Sequence, residues 1–89
     1  MPNAVFVFNG RRNRFPSAVF SSEETARKWI RKNKLSGTLT RYPIDIPIYD
    51  WAISGGYFNP KSDDKRSADF IANFSSAHQD HFHFEDGED

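Results

Sequence analysis

The hydrophobic pattern of this chain changes period several times, and each change marks an element. Ala4-Val-Phe-Val-Phe8 is a continuous apolar run closed by Asn9-Gly10, the signature of a buried strand entering a turn. Arg11 to Arg14 form the turn, and Phe15-Pro-Ser-Ala-Val-Phe20 reads as the returning strand, with Pro16 at its start where no ladder donor is needed. Ser21-Ser-Glu-Glu24 then resembles a capping box, so a helix is expected from about residue 22. Along it Ala26, Trp29 and Ile30 share one face at helical spacing, basic residues fill the other sides, and Gly37 is placed to end the segment.

Thr38-Leu-Thr-Arg-Tyr-Pro-Ile44 alternates and predicts a third strand ending near Pro43. Asp45 as a cap and Pro47 in the first turn, with Ile48, Trp51 and Ala52 following, predict a short helix stopped by Gly55-Gly56. The stretch Asn59 to Arg66 is polar and reads as a mobile loop, whereas Ser67 to Phe74 places Phe70, Ile71 and Phe74 on one helical face. In Asp80-His-Phe-His-Phe-Glu85 the period is two, which predicts a last strand with Phe82 and Phe84 toward the core and His81, His83 and Glu85 away from it.

These elements predict an α+β fold in the order β-β-α-β-α-α-β: an antiparallel sheet of about four strands with helices packed on one face. Trp29, Trp51, Phe70 and Phe74 belong in or near its core, as do Phe6, Phe8, Phe15 and Phe20. A single domain over residues 1–85 is expected, followed by a disordered acidic tail at 86–89. Eighty-nine residues bury only a modest fraction of their unfolded surface, so the core must be made of large side chains. Nine Phe, three Tyr and two Trp supply them.

With no cysteine, disulfide frameworks, thiolate zinc sites and thiol nucleophiles are excluded, and the composition fits a reducing compartment. No apolar run has the length of a membrane span, and the first residues lack a signal-peptide pattern, so a cytoplasmic protein without membrane association is expected.

The zero net charge conceals a polarity. Residues 1–41 carry nine basic and two acidic side chains, and residues 42–89 carry three and ten, giving +7 and −7. Either a basic surface meets an anionic partner, or the fold brings the halves together and neutralises them. Arg11, Arg12, Arg14, Arg27, Lys28, Arg31 and Lys34 are the candidate partner-binding residues, suited to a protein with an acidic surface or, alternatively, to nucleic acid phosphates. The segment 77–89 holds three histidines and five acidic residues, so His78, His81, His83 and Glu85 are a candidate metal set, set against the plain reading of a solvated strand face. No nucleophile elbow, phosphate-binding Gly loop or His-Glu-x-x-His helix occurs, so no catalytic residue is assigned and no cofactor is expected.

Residues 15–61, with their Phe-Pro-Ser, Tyr-Pro-x-Asp and Tyr-Asp-Trp-Ala segments, and residues 70–87 together resemble a family of small bacterial proteins characterised only as a domain of unknown function. The resemblance implies a bacterial origin and a compact α+β domain, and it brings no activity or site residue with it. By analogy with small stand-alone domains it implies a non-enzymatic, protein-binding role of the accessory, immunity-type or anti-defence kind. A nucleic-acid-binding accessory domain is the alternative, followed by a metal-binding protein or hydrolase using the C-terminal histidines.

Overall fold

A computed structural model of the protein describes residues 3–89. In chain order it contains β1 (Ala4–Gly10), β2 (Ala18–Phe20), α1 (Glu23–Asn33), β3 (Gly37–Pro43), α2 (Ile48–Ser54), a 3-10 turn (Asp63–Arg66), α3 (Ala68–Ala72) and β4 (His81–Phe84). The α+β class and the expected element order are both present, and the four strands form one antiparallel sheet in the order β2-β1-β3-β4. Within the span expected as one domain, the chain packs as two compact units. One runs to Ile44 and resumes over Gln79–Asp89, and the other is Asp45–His78. Among the described residues no helix is long and apolar enough to cross a membrane.

Sheet register decides which side chains meet α1. Phe8 pairs with Ala18 on one side and Leu39 on the other, and Leu39 pairs with Phe82, so these residues project to the same face. Phe8, Leu39 and Phe84 form a buried cluster with Ala26 and Ile30 of α1. Phe6, Ala18, Phe20, Trp29, Leu35 and Phe82 pack around it. Trp29 is half-buried, its indole edge-on to Phe8 at 5.5 Å and tilted against Phe20 at 5.5 Å. The opposite face presents Val5, Val7, Val19, Thr38, Thr40, Tyr42, His81 and His83, as the alternation of each strand requires.

Two details of α1 differ from expectation. The cap is Ser22, one residue later than the Ser21–Glu24 box implies. Its hydroxyl oxygen accepts from the Thr25 amide at 3.2 Å and its hydroxyl donates to Thr25 Oγ1 at 2.8 Å, so Thr25 takes the place expected for a glutamate. The helix is ended by Lys34, left-handed at φ 52°, whose amide bonds back to the Arg31 and Ile30 carbonyls. Gly37 instead opens β3, buried opposite Gly10. A Cβ at Gly37 would lie 2.2 Å from the Asn9 carbonyl oxygen and 2.7 Å from Phe8 Cζ, so the glycine serves close strand packing and not helix termination.

The second unit has its own aromatic centre. Tyr49 of α2 is buried, with Phe58, Phe70 and Phe74 at ring distances of 5.8, 6.4 and 5.6 Å, and its hydroxyl donates to the Lys65 carbonyl at 2.8 Å. That bond ties down the 3-10 turn within the stretch read as a mobile loop. Trp51, placed near the core by the helical pattern, stacks on Tyr57, and Tyr57 stacks on His78. Asp45 does not cap α2. It sits at φ 63° in the turn before Pro47, and α2 begins without a side-chain cap. α3 is capped by Ser67, whose Oγ accepts from the Phe70 amide at 3.2 Å, and it ends at Ala72.

Residues 86–89, expected as a disordered tail, fold into a turn on the first unit. The Glu85 amide bonds to the Glu88 carbonyl at 2.8 Å, the Gly87 amide to the Leu35 carbonyl at 2.8 Å, and the Asp86 amide to Ser36 Oγ at 3.0 Å. Gly87 is left-handed at φ 86°, and a Cβ there would be 3.0 Å from Lys34 Cα. Backbone pairing to the end of α1 removes the freedom that charge composition alone implied.

The register pair Gly10 and Gly37 gives a controlled test of strand packing. Gly37→Ala is expected to lose about 2 kcal/mol or more in urea unfolding, because backbone must shift to admit the methyl. Gly10→Ala, with nothing within 4 Å of its Cβ position, is expected to stay within about 0.5 kcal/mol of the parent.

Candidate interaction surface

Between β1 and β2 the chain leaves the sheet for seven residues, and their side chains are exposed from Arg11 to Ser17. The backbone there is nevertheless held. The Arg11 amide bonds to the Ser36 carbonyl at 3.1 Å, Asn13 to Gly10 at 3.1 Å, and Ser17 to Phe8 at 2.9 Å. Asn13 Oδ1 accepts from the Phe15 amide at 3.1 Å, a side-chain turn of the kind asparagine favours.

This arrangement corrects the placement of Phe15. It is expected in the core with Phe20, but it is 70% exposed, and the strand begins only at Ala18. Pro16 cannot donate to the ladder, and the Asn13 turn redirects the chain before it, so Phe15 never reaches the sheet. Its neighbours on the tip are Arg12 and Arg14, which make no ion pair with any described residue. Val19, on the sheet face away from α1, adds a second apolar side chain at 61% exposure.

The seven basic candidates have different fates. Arg11 lies 3.4 Å from Glu85 across a solvent-exposed gap, a pair of little energetic weight. Lys28 pairs with Glu24 one helical turn away at 3.2 Å. Arg31 and Lys34 are exposed without an ion pair among the described residues. Arg27 does not belong to an open contact surface. Its guanidinium donates to Glu23 and to Asp89, each at 2.7 Å, and lies over the rings of Phe82 and Phe84 at 4.7 and 5.2 Å. Hydrogen bonds to Asp89 and Glu23 raise the Arg27 pKa, and the bond from Arg27 holds the Asp89 carboxyl below its usual range. Through Arg27–Asp89 and Arg11–Glu85, part of the basic half is neutralised by the acidic half.

The turn of residues 85–89 also walls a shallow groove of about 570 Å³ with Arg11, His83 and Phe84. A second depression of about 260 Å³ adjoins it between Asn9, Gly10, Gly37 and Thr38. Four carboxylates line the larger one, so it disfavours anions.

The histidine candidates separate as well. His81 and His83 stand side by side on β4, exposed, with ring centroids 5.1 Å apart. The His81 Nδ1 is 2.7 Å from the Gln79 carbonyl oxygen, and His83 Nδ1 is 3.4 Å from Thr38 Oγ1. His78 belongs to the second unit, stacked on Tyr57 at 4.4 Å and 14°. Glu85 points its carboxylate toward Arg11. Among the described residues no three His, Asp or Glu side chains are grouped so as to hold a metal ion.

With this geometry described, the chain can be placed. Over residues 5–89 it matches the family model described as Domain of unknown function (DUF7710), and it belongs to that family. No curated protein and no solved structure matches it at a significant level.

Arg27 should behave as a structural residue. Arg27→Ala is expected to cost about 1–2 kcal/mol in urea unfolding, through lost charged hydrogen bonds and lost cover on Phe82 and Phe84. Arg27→Met, which keeps an apolar stem over those rings, is expected to cost less. Because the Asp89 carboxyl is depressed, its contribution is present above the ordinary carboxylate range and is lost as pH falls through the lowered value. An NMR titration of the Arg27 Nη–H and Asp89 side-chain resonances should place the loss of this ion pair below the ordinary carboxylate range.

Proposed function

We propose that this protein is a non-enzymatic interaction domain that binds a protein partner through the β1–β2 connection, with Phe15 as the apolar anchor and Arg12 and Arg14 steering an acidic surface toward it. One observation carries the reading: a large aromatic side chain stands 70% exposed on a hydrogen-bonded tip between arginines without ion partners. Aromatic residues and arginine are the types that dominate binding hot spots. A tip already fixed by backbone bonds loses little entropy when it docks. Burying such a ring in a partner's pocket returns free energy that exposure to water withholds. Arg31 and Lys34 extend the positive field on the same unit and favour fast encounter with an acidic partner. An accessory role in a bacterial cytoplasm, of the immunity or anti-defence type, is the setting we assign to it.

Single-stranded nucleic acid is the second reading, since an exposed ring between arginines can also stack on a base while the cations meet phosphates.

The test is a comparison of baits. Proteins retained by the parent at low salt should be lost by the combined Phe15→Ala, Arg12→Ala and Arg14→Ala variant. The melting temperatures of the two should agree within about 2–3 °C, because exposed side chains carry little stability. Arginine substitutions alone should slow association and flatten its salt dependence, and Phe15→Ala alone should speed dissociation. Identical retention by parent and variant would sink the proposal. Salt-dependent binding of a random single-stranded oligonucleotide that the variant abolishes would move nucleic acid to first place.

A further inference from the structure

Two imidazoles stand side by side on the sheet face away from α1. On β4, His81 and His83 are two residues apart and therefore project from the same face, opposite Thr40 and Thr38 of β3. The Gln79 carbonyl oxygen, 2.7 Å from His81 Nδ1, can only accept, so Nδ1 must carry the proton and donate. In the neutral ring this leaves the lone pair on Nε2. A backbone carbonyl behind the far ring nitrogen is the arrangement that orients histidines toward metals. Thr38 Oγ1 lies 3.4 Å from the same atom of His83 and, as a hydroxyl, can accept from it or donate to it.

Ring spacing agrees with a shared ion. A nitrogen bound at about 2.0 Å puts its ring centroid roughly 3.1 Å from the metal, so two imidazoles on one ion sit about 4.4 Å apart at a square-planar right angle and about 5 Å apart at a tetrahedral angle. The two centroids are separated by 5.1 Å. Both rings are exposed, leaving room for water in the other coordination positions.

We propose that His81 and His83 form a two-imidazole site for an exchangeable late divalent transition ion, copper, nickel or zinc, completed by water. The site is narrower than the four-residue set suggested by sequence spacing. Glu85 pairs with Arg11 and His78 stacks on Tyr57, so the proposed site is built from His81 and His83 alone. Two neutral nitrogens with no carboxylate select against magnesium and calcium, which take oxygen donors. The site is independent of the Phe15 tip and of the partner proposed for it.

The experiment uses the full chain without a histidine tag, titrated by calorimetry with Cu(II), Ni(II), Zn(II) and Mg(II) separately. One saturable site is expected for the first three, tightest for copper, with no heat from magnesium. His81→Gln and His83→Gln should each weaken copper binding by more than about tenfold, with His78→Gln unchanged. Thr38→Val should weaken it by less than either. Copper electron paramagnetic resonance should report two equatorial nitrogens in the parent and one in each single variant, a readout that a folding defect does not imitate. Binding that survives the His81→Gln/His83→Gln double variant, or that is lost in His78→Gln, would overturn the assignment, as would the absence of a saturable copper site in the parent.

Discussion

The contact of Ile30 and Ala26 with Phe8, Leu39 and Phe84 is the interaction on which the first unit depends. It joins α1 to three strands, and two of those strands come from distant parts of the chain. Each buried aliphatic or aromatic side chain contributes about 1.5–3 kcal/mol, against a total stability of about 5–15 kcal/mol for a small domain. No member of such a cluster is dispensable. Close strand approach at Gly37 sets the depth of the cluster, because the Phe8 ring reaches over the place where any other residue would carry its Cβ. Arg27 completes it from outside, covering Phe82 and Phe84 with an alkyl stem and a guanidinium whose charge is satisfied at its rim.

Charge follows from this packing. Docking Phe84 beside Gly37 brings the next five residues to the end of α1, where the Leu35 carbonyl and the Ser36 hydroxyl accept their amides. The acidic residues arrive there because their backbone is paired, and the ion pairs to Arg11 and Arg27 come with it. The polarity of +7 against −7 is thus partly spent within the unit, whose nine basic side chains face seven acidic ones. The basic side chains of this unit that make no ion pair with a described residue are Arg12 and Arg14 on the hairpin tip, Arg31, Lys32 and Lys34 at the end of α1, and Arg41 on β3.

Where local pattern and tertiary packing agreed, the sequence was legible. Ala26 and Ile30 at helical spacing and Phe82 and Phe84 at a period of two occupy the predicted elements, whereas Asn9 and Gly10, expected to close β1, are still paired within it. The misses share a cause. The spacing rule favours Ser21, which has Glu24 three residues on, and only the bond from the Thr25 amide to Ser22 Oγ puts the cap one residue later. Phe15 and Phe20 are the same residue type in one apparent strand, but Pro16 and the Asn13 side chain separate them into an exposed tip and a packed edge. The acidic tail read as disordered because composition reports charge and not backbone pairing, although its Asp86-Gly87 dipeptide is a turn signal. The Trp51–Tyr57–His78 stack had no signal at all, since its members are spread over three segments.

The two candidate sites sit where side chains escape the core for different reasons. β4 can give its core only alternate residues, so a strand that supplies Phe82 and Phe84 must display whatever lies between them, and here that is two imidazoles whose spacing the pleat itself sets. The Phe15 tip is not a by-product of that kind. No pleat forces an aromatic ring outward there, and any polar residue would satisfy the turn at lower cost to solubility. A fold this small, whose other phenylalanines pack in the two cores, loses core material by leaving Phe15 in water. That asymmetry is the physical reason to look for function at the hairpin first.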